Sequence, residues 1–122
     1  MVSQKLAKEK PEAVKGLVRA INRAMKEAIA NPDAAIDLLA KNEALIKKDI
    51  EKRRMLYVYK TLIDTAEARS LGVGDVSDER MAGAAATIAE SFELPRTPKP
   101  ADVFSRDFLP AKAERMPAVL SN

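Results

Sequence analysis

The run from residue 11 to residue 30 constrains the fold of this chain more than any other stretch of it. Its apolar residues recur at offsets of 0, 3, 4, 7, 11, 14 and 15, which is the spacing of one face of an α-helix. These residues are Val14, Leu17, Val18, Ile21, Met25, Ala28 and Ile29. The opposite face carries Lys15, Arg19, Asn22, Arg23, Lys26 and Glu27. The spacing therefore predicts an amphipathic helix over 11–30 that buries its apolar face against another element and leaves its polar face in water.

Prolines mark both ends of this helix. Pro11 suits a first helical position, because its fixed φ is helical and its missing N–H would have no partner there. Pro32 disfavours α geometry in the residue before it, so the helix is expected to end near Asn31. Asn31 and Pro32 are in turn typical of the cap and the first residue of a second helix, which we predict over 32–41.

Two further helices are predicted in the first part of the chain. Ser3 is placed to cap a short helix over 4–9. A longer pattern covers 46–70, but its apolar stripe is regular only from Met55 onward. In this stretch we expect either two helical pieces or one helix whose first turns face a different partner.

A glycine-containing break over 71–74 separates this region from another helix. Glycine supplies the positive φ that ends helices and forms turns. Asp75 or Ser77 is then expected to cap a helix over 77–92. Its apolar positions again have helical spacing, and they are Met81, Ala84, Ala85, Ile88 and Phe92.

The last part of the chain, 95–122, has a different character. Five prolines fall within 23 residues there, which excludes a long helix. We expect a proline-rich extended tail with one short helix near 101–107. The apolar residues expected to anchor this tail on the body are Phe104, Phe108 and Leu109. Because no alternation long enough for a strand is found in the sequence, the predicted fold class is mostly α, with a helical segment over 1–94 followed by the tail.

The composition excludes several kinds of chemistry. The chain has no cysteine and no histidine, which rules out disulfides, thiolate nucleophiles, imidazole bases and the usual zinc ligand sets. Its 21 basic and 18 acidic residues are interspersed, as on solvated helix faces, and this is weak support for a nucleic-acid partner. Neither a membrane-spanning run nor a signal-peptide pattern is found in the sequence. We therefore expect no catalytic residue, no metal site and no cofactor, and the ligand-binding residues stay unassigned.

A few groups allow a functional interpretation beside a structural one. The charged run over 47–54 resembles an anion patch, but its mixed signs favour a solvated helix surface. Gly72 and Gly74 suggest a phosphate loop, yet the third glycine and the Lys-Ser/Thr ending of such loops are missing, which favours a turn. Of Tyr57 and Tyr59, one is expected to face the core and the other its rim.

Charged side chains near the glycine-containing break over 71–74 and in the tail are assigned structural roles as well. Helix capping and compensation of the helix dipole explain three clustered carboxylates, which are Asp75, Asp78 and Glu79. In the tail, we expect Arg106 to pair with Asp107 and Arg115 to pair with Glu114.

Two stretches of the sequence carry a resemblance. The first is VSQKLAKEKPEAVKGLVRAINRAMKEAIANPDAAIDLLAK, with matching residues at Pro11, Glu12, Val14, Leu17, Val18, Ala20, Ala30, Asn31, Pro32 and Ala35. The second is SLGVGDVSDERM followed by KPADVFSRDFLPAKAERM, with matching residues at Gly72, Gly74, Asp75, Val103, Phe104, Phe108, Leu109 and Pro110. In this order, the stretches resemble the C-terminal part of solute-binding proteins of ABC importers, in the NMT1/THI5-like or SsuA/THI5-like family.

The resemblance implies a helical C-terminal segment of a type II periplasmic-binding-protein fold, whose full-length members have two α/β lobes and a ligand in the cleft between them. It implies a small solute and an ABC permease as partners, a periplasmic location at the membrane periphery, and no enzymatic activity. Nitrate, sulfonates, taurine and thiamine-type pyrimidines all occur as solutes in the family, so the solute is left open. Since most cleft-lining residues would lie outside this fragment, its uncovered apolar faces are expected to favour self-association.

Two alternatives from other functional classes remain open at this point. One is a free-standing helical module for protein interaction. The other is a small basic nucleic-acid binder, whose binding would depend steeply on salt concentration.

Overall fold

The computed structural model describes residues 2–120, and every regular element in that part of the chain is helical. Within these residues the α-helices are α1 (Gln4–Glu9), α2 (Pro11–Ala30), α3 (Pro32–Asn42), α4 (Lys48–Val58), α5 (Ala66–Leu71), α6 (Asp78–Ser91) and α7 (Pro100–Val103). Three shorter pieces complete the order, namely a π-helical segment (Tyr59–Ile63) directly after α4 and two 3-10 turns in the tail (Arg106–Phe108 and Lys112–Arg115). The predicted mostly-α fold class is confirmed.

Side-chain caps start four of the α-helices in the described residues, among them α1, α3 and α6. The Ser3 hydroxyl accepts a hydrogen bond from the N–H three residues further on at 3.1 Å, and the Asn31 side-chain oxygen does the same at 3.2 Å. Of the two candidates for the α6 cap, the structure selects Ser77, whose hydroxyl accepts the corresponding N–H at 3.3 Å. Each bond satisfies a backbone N–H that the first helical turn leaves without a partner.

Of the two arrangements expected over 46–70, the structure shows two helical pieces, and the single continuous helix is wrong. The helix begins at Lys48, passes into the π segment at Tyr59 and ends before Asp64. The Asp64 N–H donates to the Tyr59 carbonyl at 2.8 Å, which is the wider bonding pattern of a π-helix. The Thr65 hydroxyl then accepts the N–H three residues further on at 3.1 Å and starts α5. A polar cap inside the apolar stripe therefore divides this stretch into two helical pieces.

The buried face of α2 lies to one side of the predicted apolar stripe. Val14 and Ile29 are buried, but Leu17 and Ile21 are each 54% exposed. Asn22, which the spacing places on the polar face, is only 9% exposed. Compared with the prediction, the buried face of α2 therefore excludes one apolar edge of the helix and includes a residue that was expected to face water.

The C-terminal tail is the reason for this shift, because it folds back over the polar edge of α2. Arg19 Nε donates to the Glu114 carboxylate at 3.0 Å, and Lys26 Nζ donates to the Glu114 backbone carbonyl at 3.0 Å. Further along, the Tyr59 hydroxyl donates to the Ala118 carbonyl at 2.8 Å. The tail is thus fixed through polar contacts with α2 and with the π segment.

The single short helix expected near 101–107 is replaced by two pieces, α7 and the first 3-10 turn. Phe104 between them is extended, and the Ser105 hydroxyl starts the 3-10 turn by accepting the Asp107 N–H at 3.2 Å. The predicted anchors of the tail are half-buried, and they are Phe104, Phe108 and Leu109. Pro110 and Arg115 are buried more deeply than any of them. Residues 121 and 122, which the predicted tail includes, lie outside the described residues.

The apolar core of the described residues is thin. Its buried apolar side chains are Val14, Ile29, Ile36, Tyr59, Ala68, Ala85 and Ala89. Three of these are alanines, so little apolar area is buried per residue. Among residues 2–120, none of the helices has the length and apolarity needed to cross a bilayer.

Candidate interaction surface

The chain exposes far more surface than its mass requires. Its solvent-accessible area is 9303 Å² for a mass of 13.3 kDa. A compact monomer of this mass exposes about 6,450 Å², because area scales with mass to roughly the power 0.73. The excess of about 2,850 Å² is surface that the packing of the helices does not bury, and part of it is apolar.

One part of this surface is a groove between α2, α3, α4 and the π segment. The groove has a volume of about 370 Å³, which lies within the roughly 300 to 1,000 Å³ typical of binding clefts. Its apolar lining consists of Met25, Ala28, Ile29, Ile36, Leu39, Met55, Val58 and Ile63, together with Tyr59. The charged part of the lining is the Glu51–Arg54 ion pair, at 2.6 Å. This surface, which we call the groove, is open to solvent and is mostly apolar.

Local sequence signals bring the walls of the groove together. The Asn31–Pro32 junction ends α2 and starts α3 at once, so the chain reverses without a long loop. Two ion pairs then hold α4 against α3, between Lys52 and Asp33 at 2.7 Å and between Lys48 and Asp37 at 2.8 Å. All four of these charged side chains are substantially exposed, so each pair adds little stability and serves mainly to fix the orientation of the two helices.

A second uncovered apolar surface lies along α6 and just beyond it. One edge of the α6 stripe is covered, since Ala85 and Ala89 are buried. The other edge is open, with Ile88 50% exposed, Phe92 70% exposed and the nearby Leu94 42% exposed. We call these three residues the α6 ridge.

The tyrosines have separate environments. Tyr59 is 3% exposed and forms part of the groove wall, and burial raises the pKa of its hydroxyl above the ordinary value. Tyr57 is 69% exposed on the same helical run. The expectation that one of them faces the core is met by Tyr59.

A cluster of polar contacts fastens the tail to the turn after α5. Arg115 is 5% exposed, and its guanidinium donates to the Pro110 carbonyl at 2.8 Å and to the Val73 carbonyl at 3.1 Å. Another of its nitrogens lies 3.6 Å from the Asp75 carboxylate. Gly72 carries a φ of +90° beside this guanidinium. The glycine turn therefore serves a buried arginine rather than a phosphate, and we call these contacts the Arg115 clamp.

Asp75 links this clamp to the start of α6. Its carboxylate accepts from Arg106 Nε at 2.8 Å and from the Val76 N–H at 2.8 Å. Burial raises the pKa of Asp75, but the hydrogen bonds from Arg106 and Val76 and the charges of Arg106 and Arg115 outweigh it, so the pKa lies below its ordinary value. The carboxyl group is thus held in its charged form.

The expected partners of the two tail arginines are wrong. Arg106 pairs with Asp75 and Asp78 instead of its neighbour in the sequence, because the tail folds back onto the start of α6. Arg115 turns inward to the clamp, which leaves Glu114 to pair with α2. Pairing was predicted correctly as the role of these arginines, but the partners come from distant parts of the chain.

Ion pairs also involve most of the charged run over 47–54. Its members bonded to carboxylates are Lys48, Lys52, Arg53 and Arg54, with N···O distances from 2.6 to 3.7 Å. These pairs reduce the local positive potential on which binding of a phosphate backbone depends. In the described part of the chain, no group of three or more acidic side chains is arranged to hold a metal ion.

Comparison with known proteins gives one finding on the family. Residues 1–35 match the family model described as NMT1/THI5 like. This match lies in the first of the two stretches that carry the resemblance, and it spans α1, α2 and the start of α3. The comparisons with curated proteins and with solved structures found no match.

Proposed function

We propose that this chain forms the C-terminal helical part of a solute-binding protein of an ABC importer. In this proposal the whole protein captures a small solute in the periplasm and delivers it to the permease at the membrane. The helical part described here is proposed to act as a structural and docking element without enzymatic activity of its own.

The observation that carries this proposal is the match of residues 1–35 to the NMT1/THI5-like family model. The surface of the chain supports it independently. An excess of about 2,850 Å² over a compact monomer is what helices leave exposed when the structure they cover is not present. The second resembling stretch adds the Arg115 clamp, beside which Gly72 takes up a positive φ angle that only glycine adopts easily.

Expression of the reading frame together with the DNA upstream of Met1 tests this proposal. The longer polypeptide is expected to add strands of two α/β lobes and to bind at least one solute among nitrate, sulfonates and thiamine-type pyrimidines in calorimetry. The 122-residue chain is expected to bind none of them more tightly than about 1 mM, since the cleft needs both lobes. Upstream sequence without such lobes, or micromolar binding by the short chain, would contradict the proposal.

A free-standing interaction module is the second candidate function, and the open groove favours it. Amphipathic helices of partner proteins bind grooves of this kind through apolar residues spaced three and four apart. Under this alternative the groove is a permanent docking site, whereas under the first proposal it lies within a larger protein.

A further inference from the structure

We propose that residues 105–118 form a detachable strap that the Asp75 carboxylate holds closed over α2. Neutralising this one carboxylate opens the strap, while α2, α3 and α4 stay folded. The inference does not rest on the proposed function. It follows from the meeting of both tail arginines at one carboxylate, from the shallow burial of the strap and from helix contacts to which the strap does not contribute.

The two oxygens of the Asp75 carboxylate bind different parts of the strap. Oδ1 accepts a hydrogen bond from Arg106 Nε at 2.8 Å, and Arg106 begins the first 3-10 turn. Oδ2 lies 3.6 Å from Arg115 Nη2, and Arg115 ends the second 3-10 turn. One side chain outside the strap therefore holds both of its 3-10 turns.

The pair between Asp75 and Arg115 is shielded from water, since their side chains are 11% and 6% exposed. In the part of the chain that the structure describes, Asp75 is the only carboxylate paired with Arg115. A buried charge that loses its partner is strongly destabilising, so a neutral residue 75 favours movement of the guanidinium into water. This movement takes the strap away from the body, because the Arg115 backbone is itself bonded to the Val73 N–H at 2.7 Å.

The other contacts of the strap are more exposed. The Arg19–Glu114 ion pair is about half exposed on both sides, and pairs of this kind add little stability. The bond from Lys26 to the Glu114 carbonyl is exposed as well. Among residues 105–118, only Pro110 and Arg115 are buried, so the strap contributes little fully buried apolar area. The charge of Asp75 is therefore the main hold on the strap.

The helices α2, α3 and α4 have contacts with one another that the strap does not supply. Ile29 of α2 and Ile36 of α3 are buried, and neither belongs to the cavity that the tail lines with α2. The ion pairs of Asp33 and Asp37 with lysines of α4 hold the next two helices together. Opening of the strap is therefore expected to be a local event, of the kind that precedes global unfolding.

An open strap changes the polar edge of α2 from covered to accessible. Asn22 is 9% exposed while the tail lies over it. Arg19 and Lys26 both donate to Glu114 in the closed strap, and both face water once Glu114 has moved away. The strap thus controls access to a row of hydrogen-bond donors on α2.

The strap responds to pH through Asp75. Burial favours the neutral form of this carboxyl, but the hydrogen bonds from Arg106 and the Val76 N–H and the charges of Arg106 and Arg115 outweigh it, so the pKa of Asp75 lies below its ordinary value. The strap is therefore closed at neutral pH and opens as the pH falls through this pKa, below about 3.9. The charged groups around Asp75 are Arg106, Arg115, Asp78 and the Glu67–Arg80 ion pair.

Asp75→Asn tests the strap at neutral pH, because asparagine has nearly the same shape without the charge. Trypsin cleaves after arginine, and Arg115 is protected while it is 5% exposed in the closed strap. The rate of cleavage after Arg115 follows the open fraction, and we expect it to rise about tenfold or more in the variant. Cleavage after Arg54 in α4 should keep its rate, since that helix stays folded.

Asp78→Asn is the matched control. Asp78 also pairs with Arg106, at 2.8 Å, but its side chain is 80% exposed. Removal of this charge should leave the rate of cleavage after Arg115 within about twofold of that of the parent chain. Arg106→Gln breaks only one of the two holds and should give an intermediate rate. Adding it to Asp75→Asn should change little more, because both substitutions act on the same contact.

Hydrogen exchange measured by nuclear magnetic resonance gives a second readout at the Val73 N–H, which donates to the Arg115 carbonyl. Exchange there should accelerate in Asp75→Asn, while the amides of α2, α3 and α4 keep their protection. In the parent chain the same acceleration, corrected for the intrinsic rate, is expected below about pH 4, and it should be absent in Asp75→Asn. Unchanged cleavage after Arg115, an equal effect of Asp78→Asn, or loss of helical circular dichroism in Asp75→Asn would each overturn the proposal.

Discussion

Alanine at Gly72 is expected to destabilise the chain more than alanine at Gly74. The φ angles of these glycines are +90° and +83°, so alanine at either site introduces backbone strain of about 1 to 3 kcal/mol. A Cβ atom on Gly72 would also lie 2.8 Å from Nη1 and 3.2 Å from Cβ of Arg115. A Cβ atom on Gly74 would meet only Leu109 Cδ2, at 3.9 Å. The two substitutions therefore share the strain, and only the first disturbs the Arg115 clamp.

The magnitude of the difference follows from the bonds of Arg115. Moving its guanidinium away from Gly72 breaks the 3.1 Å bond to the Val73 carbonyl, and a hydrogen bond from a charged donor contributes about 1.5 to 3 kcal/mol. Gly72→Ala should then cost about 2.5 to 6 kcal/mol, against about 1 to 3 kcal/mol for Gly74→Ala.

Urea unfolding followed by helical circular dichroism measures both losses, at concentrations low enough to keep the chain monomeric. Arg115→Ala provides the double-mutant cycle. In its presence the cost of Gly72→Ala should fall close to the strain alone, because the guanidinium nitrogen that the new methyl group would strike is gone and only the contact with Cβ of residue 115 remains. An unchanged cost for Gly72→Ala in both backgrounds would refute the clamp as its cause.

Three further outcomes are expected. Ile29→Ala should cost about 2 to 5 kcal/mol in urea unfolding, while Ile21→Ala on the same helix should cost about 1 kcal/mol or less, because Ile29 is 5% exposed and Ile21 is 54% exposed. Gly16→Ala should stabilise the chain by about 0.5 to 1 kcal/mol, since a Cβ there meets no atom within 4 Å and the helix gains propensity; a lower urea midpoint would contradict this. Asp75 and Glu67 have pKa values below those of the unfolded chain, which are about 3.9 and about 4.3, so their stabilising effect is complete at higher pH and is lost as the pH falls through the folded-state pKa. The urea concentration at the unfolding midpoint should decrease as the pH is lowered below about 4. This decrease should be smaller for Asp75→Asn.

Local signals in the sequence were sufficient for most helix boundaries. Pro11 and Pro32 restrict their own φ and the conformation of the preceding residue, and these effects need no tertiary contact. The caps at Asn31 and Ser77 are equally local, because each side chain bonds a backbone N–H three residues away. The stretch 46–70 shows where such signals become ambiguous. Thr65 can stand inside a continuous helix, but its hydroxyl can also cap the start of a new one.

Contacts between distant residues could not be predicted in the same way. Asn22 is buried because the tail lies over it, and Lys26 donates to a carbonyl 88 residues further along the chain. Arg115 reaches Val73 across 42 residues. Periodicity predicts that a polar residue such as Asn22 is exposed, because it considers only the helix that contains the residue. The buried face of α2 is in fact set by contacts with the tail, and the tail has no periodic pattern from which these contacts could be predicted. The groove could not be predicted for the same reason. The sequence indicates each of the helices that form its walls, but it does not indicate that these helices pack against one another.

The way in which the tail is fixed also explains why apolar surface stays available. A proline-rich segment has few apolar side chains to bury, and it docks here partly through backbone carbonyls that accept from Lys26 and Tyr59. Such contacts need donors, and the donors lie on the polar edge of α2 and on the π segment. The apolar edge with Leu17 and Ile21 is therefore left uncovered, as are the groove and the α6 ridge. A chain that holds its tail through polar contacts therefore leaves these apolar surfaces exposed to solvent.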